Sequence, residues 1–190
     1  VGEGVAFVVA ETAAQARDAA DLVAVEYSPL PASADTSSAL DEDAFILWAD
    51  IGNNEALVHK IGDKAAADKA FDVADHVVEH RFNISRVLGN AMEMRGCLAI
   101  HDRRTDHYTL RAPIQHPWVA RRILATTIIG VEELKVRVIA PDVGGSFGIK
   151  ANVYPEYLIA LFAAKATGRP VKWISDRTEA FLSDFHARDN

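Results

Sequence analysis

Near its start the chain has six consecutive apolar residues, VAFVVA at 5–10, followed by the alanine-rich ETAAQARDAADL at 11–22 and then VAVEY at 23–27. A short unbroken apolar run predicts a buried strand, and the alanine-rich stretch predicts a helix. Thr12 with Gln15 three residues on has capping-box spacing, which places the helix start. The order is strand, helix, strand. Two prolines in SPLPAS (28–33) then end regular structure. From about 33 to 56 the chain is acidic and rich in Ser, Asp and Asn, as a linker would be. DKAAADKAFDVA (63–74) predicts a helix with lysines and aspartates on its wet face.

A second set of elements follows. In VVEHRFNIS (77–85), Val78, His80, Phe82 and Ile84 alternate to one side, which predicts a strand. GCLAIHDR (96–103) and HYTLRAP (107–113) predict a strand pair joined by a polar turn. HPWVARRILATTIIG (116–130) predicts a helix, with Pro117 in its first turn and Gly130 as its stop. KVRVIA (135–140) predicts a strand, residues 151–166 a helix with Tyr154, Leu158, Leu161 and Phe162 on its apolar face, and RPVKWIS (169–175) a further strand. DRTEAFLSDF (176–185) predicts a last helix, with Asp176 as N-cap and Glu179 at capping-box spacing. The class these elements predict is α+β.

Composition narrows the function. A net charge of −7 argues against a general binder of nucleic acid or anionic membrane. No apolar run approaches the roughly 18 residues of a membrane span, no signal peptide opens the chain, and the cytoplasm is the expected compartment. The single cysteine, Cys97, excludes an internal disulfide, a thiolate iron–sulfur cluster and a cysteine-based zinc site within the chain. The start at Val1 and the stop at Asn190 lead us to expect a piece of a longer polypeptide.

The most unusual stretch is PDVGGSFGIK (141–150), in which Gly144, Gly145 and Gly148 surround Ser146 and Phe147. Lying between strand and helix, it could present backbone N–H groups to an oxygen-rich ligand, with Phe147 as a wall; equally, it could be a tight strand–helix turn. It is neither a Walker A loop, because Ile149 separates Gly148 from Lys150, nor a dinucleotide fingerprint, because the glycine spacing is wrong. HVVEH (76–80) matches a zinc-peptidase pattern, but a strand would set its histidines about 13 Å apart, too far for one ion. Glu93, between two methionines in NAMEMRGCLA, suits an internal ion pair or a clamp on backbone N–H groups, with a general base as the alternative. Gln115, where strand gives way to helix, could either reach into a cleft or bond its own backbone.

Taken in order, MEMRGCLA, RAPIQHPWVARRILA, PDVGGSFGIK, a helix containing PE, and GRPVKWISDRTEAF resemble the large subunits of the molybdenum hydroxylases, the xanthine dehydrogenase, aldehyde oxidase and carbon monoxide dehydrogenase family. The resemblance implies part of an α/β hammerhead domain at 1–45, a linker with a helix at 46–74, and the first part of a mixed-sheet molybdopterin-binding domain at 75–190. It implies that Gln115 lies near the oxo ligands of molybdenum. Gly144, Gly145, Ser146, Phe147 and Gly148 would be the cofactor-side loop, with Phe147 lining the substrate channel. The implied cofactor is molybdenum on a pyranopterin, in bacterial members the cytosine dinucleotide form. The implied partners are iron–sulfur and FAD subunits or domains, with a small molecule as substrate.

The match has departures. Met94 stands where the family often has proline, and Ser146 replaces the middle loop glycine. Ala151 stands where xanthine-oxidising members carry an acidic residue, which turns the expectation from purines towards carbon monoxide, an aldehyde or another N-heterocycle. The family's catalytic glutamate lies downstream, so no catalytic residue is expected here, and the isolated chain is expected to hold no cofactor and turn over no substrate. The competing readings are a non-catalytic scaffold or assembly domain, and an anion- or nucleotide-binding module using the 144–148 loop.

Overall fold

The computed structural model describes residues 2–188, which fall into two compact units. The larger comprises 2–25 and 87–187, the smaller 26–86 with Arg188.

In the larger unit a four-stranded sheet is formed by β1 (Gly96–Asp102), β2 (His107–Arg111), β3 (Val136–Ile139) and β4 (Val171–Ile174), in the order β3-β2-β1-β4. β1 runs antiparallel to both β2 and β4, while β2 and β3 are parallel. The parallel pair needs a crossover. It is made by helix α3 (Pro117–Arg122), which widens into a π-helical stretch, Ile123–Ile129, before Gly130 ends it. The strand pair, the crossover and the last two strand–helix steps all follow the sequence pattern. Alternation works as expected in β2, where Tyr108 and Leu110 are buried and His107 and Arg111 are exposed.

The core forms where α4 (Pro155–Thr167) lies on the sheet. Its Tyr157, Ala160, Leu161 and Ala164 meet Ala99, Leu110 and Val171. The helix starts four residues later than the pattern predicts, because Pro155 sets its first turn. Phe162, predicted on the buried face, points to solvent instead. Helix α5 (Arg177–Ser183) is capped as predicted, with the Asp176 side chain accepting from the Glu179 N–H at 2.7 Å. Helix α1 (Ala13–Ala20) has the predicted reciprocal box between Thr12 and Gln15.

The two flanking strand predictions, 5–10 and 23–27, are not met. Both stretches are extended but pair with no strand among the described residues, although Phe7 packs on the core. Apolar character can be read from one segment, whereas a ladder needs a second. The hammerhead part of the fold prediction therefore has no sheet behind it here.

The smaller unit carries helix α2 (Lys64–Asp72), whose N-terminal Ala66 N–H is capped by Asp63. Its acidic stretch is organised by one amide. Asn54 Nδ2 donates to the carbonyls of Ala39 and Phe45, and Asn54 Oδ1 accepts from the Leu47 N–H, each at 2.9 Å. The predicted strand at 77–85 is extended without a ladder. No residue from 26 to 86 is buried, so this unit has no core of its own.

Candidate cofactor-side site

The sheet topology brings four chain segments to one edge. Because β1 is antiparallel to its neighbours, its start lies beside the ends of β2 and β4, and parallel β3 ends beside β2. The carboxyl ends of parallel strands are where open sheets bind ligands. Gln115 follows β2 and the glycine loop follows β3, so both predicted site elements emerge at this edge. Backbone bonds then fix them together. The Ala112 N–H donates to Ile139 O at 3.1 Å, and the Gln115 N–H to Lys150 O at 2.9 Å.

Side chains complete the contact. Ser146 Oγ donates to Gln115 Oε1 at 2.8 Å and accepts from the Lys150 N–H at 3.2 Å. The serine that departs from the family pattern is thus the residue that joins loop to glutamine. The Gln115 side chain is exposed and its Nε2 meets no partner among the described residues. The N–H groups of Gly145, Ser146, Phe147 and Gly148 likewise have no protein acceptor among them. This set of neutral donors suits the oxygen and sulfur atoms of a large anionic cofactor.

The glycines have nearer reasons as well. A Cβ on Gly144 would lie 2.6 Å from Glu93 Cβ, so that position is bare because Glu93 occupies the space. Gly145 has φ +98°, and a Cβ there would come within 3.0 Å of the Phe147 ring, which folds back over it. Phe147 itself sits at φ 51° and is 76% exposed. An aromatic held in left-handed backbone and turned to solvent adds nothing to the core, so it is free to serve as a wall.

Glu93 and Lys150 were not placed in the site by sequence, yet they hold it. Glu93 Oε2 accepts from Lys150 Nζ at 2.8 Å and from the Gly144 N–H at 2.7 Å. Glu93 therefore acts as both ion pair and backbone clamp. Its partial burial pushes its pKa up, but the Lys150 and Gly144 hydrogen bonds and the lysine charge outweigh this and hold it below the usual carboxylate range. A carboxylate so engaged is a poor general base. The signal was present in the sequence, since both residues are charged groups set among apolar ones, in MEM and FGIK. Arg177 braces the same segment from α5, donating to Asn90 Oδ1 and to the carbonyls of Ala91 and Met92 at 2.8–2.9 Å.

The depressed Glu93 pKa sets a pH dependence. Folding favours the ionised form, so the stabilisation is complete above the ordinary pKa and is lost as pH falls through the lowered one. The Gly144 amide is expected to keep its exchange protection at neutral pH and lose it below the usual carboxylate range. Protection that persists after acid titration would contradict the ion pair's role.

Other candidate chemistry falls away. Burial pushes the Cys97 thiol up to about 12, so it stays protonated. Among the described residues no three His, Cys, Asp or Glu side chains are grouped to hold a metal ion, and the HVVEH stretch is extended rather than helical. No helix among them is long and apolar enough to cross a membrane.

Residues 49–190 match the molybdopterin cofactor-binding domain. The chain belongs to that family. Proteins similar to it include the carbon monoxide dehydrogenase large chain of Afipia carboxidovorans, 38% identical across 97% of this chain and 24% of the relative. A second is the gamma subunit of the 6-hydroxypseudooxynicotine dehydrogenase complex of Paenarthrobacter nicotinovorans, 37% identical across all of this chain and 23% of the relative. Among solved structures, the reconstituted CO dehydrogenase from Oligotropha carboxidovorans superposes with a TM-score of 0.83 at 36% identity, covering 93% of this chain and 23% of that one. The resemblance to molybdenum hydroxylase large subunits thus holds, and the mixed sheet is that of their molybdopterin-binding domain. The chain spans about a quarter of the length of the curated relatives it matches.

Proposed function

We propose that this chain forms one wall of the molybdenum–pyranopterin site in the large subunit of a cytoplasmic molybdenum hydroxylase. The observation that carries the reading is the 2.8 Å Ser146–Gln115 bond, which joins the strand-end amide and the glycine loop into one surface. Gln115 Nε2 and the N–H groups of residues 145–148 would hold the cofactor, in its cytosine dinucleotide form, and Phe147 would line the way in. When bound, the cofactor would supply the oxidising centre, and iron–sulfur and FAD subunits or domains would be its electron-accepting partners. Residues 1–45 are the later half of a hammerhead domain, 46–74 a linker, and the catalytic base comes from outside these 190 residues. Ala151 favours carbon monoxide, an aldehyde or an N-heterocycle other than a purine as substrate, and the isolated chain is inactive.

The test uses the full subunit that contains this segment, purified with its partners. It is expected to hold stoichiometric molybdenum and to oxidise carbon monoxide, benzaldehyde or nicotine with dichlorophenolindophenol as acceptor. Gln115→Ala is expected to lower turnover roughly tenfold, the worth of one hydrogen bond. A subunit without molybdenum, or a Gln115→Ala variant with unaltered turnover and molybdenum spectrum, would refute the reading.

A further inference from the structure

The glycine loop does not hold itself. From Gly144 to Lys150 it lies against residues 89–93, which precede β1. Glu93 exchanges two bonds with Gly144: its N–H donates to Gly144 O at 3.2 Å, and its carboxylate accepts the Gly144 N–H. A Cβ on Gly145 would lie 3.3 Å from Ala91 Cβ. One on Gly89 would lie 3.0 Å from Ile149 Cγ2 and 3.3 Å from Phe147 Cβ. The loop is thus seated at close range at both its ends, at Gly144 and Gly145 and again at Ile149. Lys150 closes the far end: its side chain is fully buried and meets the same Glu93 oxygen as Gly144 does. Its backbone N–H and carbonyl bond Ser146 and Gln115. One carboxylate therefore ties the first loop residue to the lysine that carries the Ser146–Gln115 contact.

We propose that Glu93 and Lys150 are positioning residues, a latch that fixes the Gln115–Ser146–Phe147 surface against residues 89–93, with Arg177 bracing that segment from behind. The inference rests on the reading of this surface as the cofactor side. The latch touches neither cofactor nor substrate. It sets where the Gln115 amide and the Phe147 ring stand when those arrive, and it acts through geometry, since the groups it aligns are neutral.

The test compares three forms of the full subunit: wild type, Gln115→Ala and the double variant Glu93→Gln/Lys150→Met. The double variant keeps an acceptor for the Gly144 N–H and leaves no unpaired buried charge, so it is expected to melt within a few degrees of wild type. Its kcat is expected to fall about tenfold with KM changed less than twofold. The molybdenum electron paramagnetic resonance signal is expected to shift, and amide exchange to quicken across 141–151 but not across β1 and β2. If Gln115→Ala lowers turnover while the double variant matches wild type in kcat and exchange, the latch is refuted and the site reading stands. If the double variant quickens exchange throughout the sheet and loses its melting temperature, the pair is merely structural and the proposal fails. If Gln115→Ala itself changes nothing, the site reading falls first and the latch with it.

Discussion

Replacing Arg95 with alanine is expected to be the most damaging single change in this segment, at about 3–5 kcal/mol. The Arg95 side chain is completely buried. Its guanidinium donates to Asp184, to Ser183 Oγ at 2.6 Å and to Glu156 at 3.2 Å, and lies 3.7 Å over the Tyr154 ring. Burial pulls its pKa down, but the Asp184 and Glu156 carboxylates outweigh that and raise it, so the charge stays. Truncation would leave the Asp184 carboxylate buried with no cation. Arg95→Lys is expected to fail nearly as badly, because an ammonium cannot span three acceptors as a planar fork does. Against a typical domain stability of about 5–15 kcal/mol, either loss is a large share. The readout is the yield of folded subunit and its urea midpoint. Arg95→Met combined with Asp184→Leu should recover part of the loss, since the stranded charge is removed with its partner. A midpoint unmoved by Arg95→Ala would contradict the assignment of this network as the joint between β1, α4 and α5.

What the sequence disclosed follows from the range of the forces involved. Capping boxes, the Pro and Gly stops, and the alternation of β2 act within a few residues, so Thr12, Asp176, Pro117 and Gly130 marked their elements correctly. The flanking runs at 5–10 and 23–27 are apolar enough for strands, but pairing is a property of two segments, and neither run meets a partner strand among the described residues. Phe162 misled for a similar reason. Helix α4 is apolar nearly all round, so periodicity could not choose its buried face. In the site, Gln115 and the loop were visible because each sits at a strand end, and the family motifs put them in order. Lys150 stayed hidden because its role depends on Glu93, 57 residues away in sequence. The topology explains that meeting afterwards, since the start of an antiparallel strand must lie beside the ends of its neighbours. Ser146 was read as a member of the cofactor-side loop that departs from the family's glycine, with no partner named for its hydroxyl. Its hydroxyl bond to Gln115 makes it an added restraint on the same surface.

Gly144→Ala is expected to have the largest effect on activity, with turnover of the full subunit down about a hundredfold. The new methyl would stand 2.6 Å from Glu93 Cβ, a distance real contacts do not reach. Cβ of Glu93 is the root of its side chain and cannot swing aside, so the loop itself must lift. Lifting it stretches the Gly144 N–H bond to Glu93 and carries Ser146 away from Gln115. Overpacking of this kind costs about 1–3 kcal/mol in stability, which the fold can survive, so the loss should register mainly in kcat and in the molybdenum signal. Gly148→Ala supplies the contrast. Its Cβ would meet nothing within 4 Å, and the strain comes only from φ +97°. That costs roughly 1–2 kcal/mol and leaves residues 144–146 in place. The expected order is therefore a severe loss at 144 and a mild one at 148, although both are glycines of one motif. Equal losses at the two positions would mean that the motif works through bareness alone, and that the seat Glu93 provides for the loop is incidental.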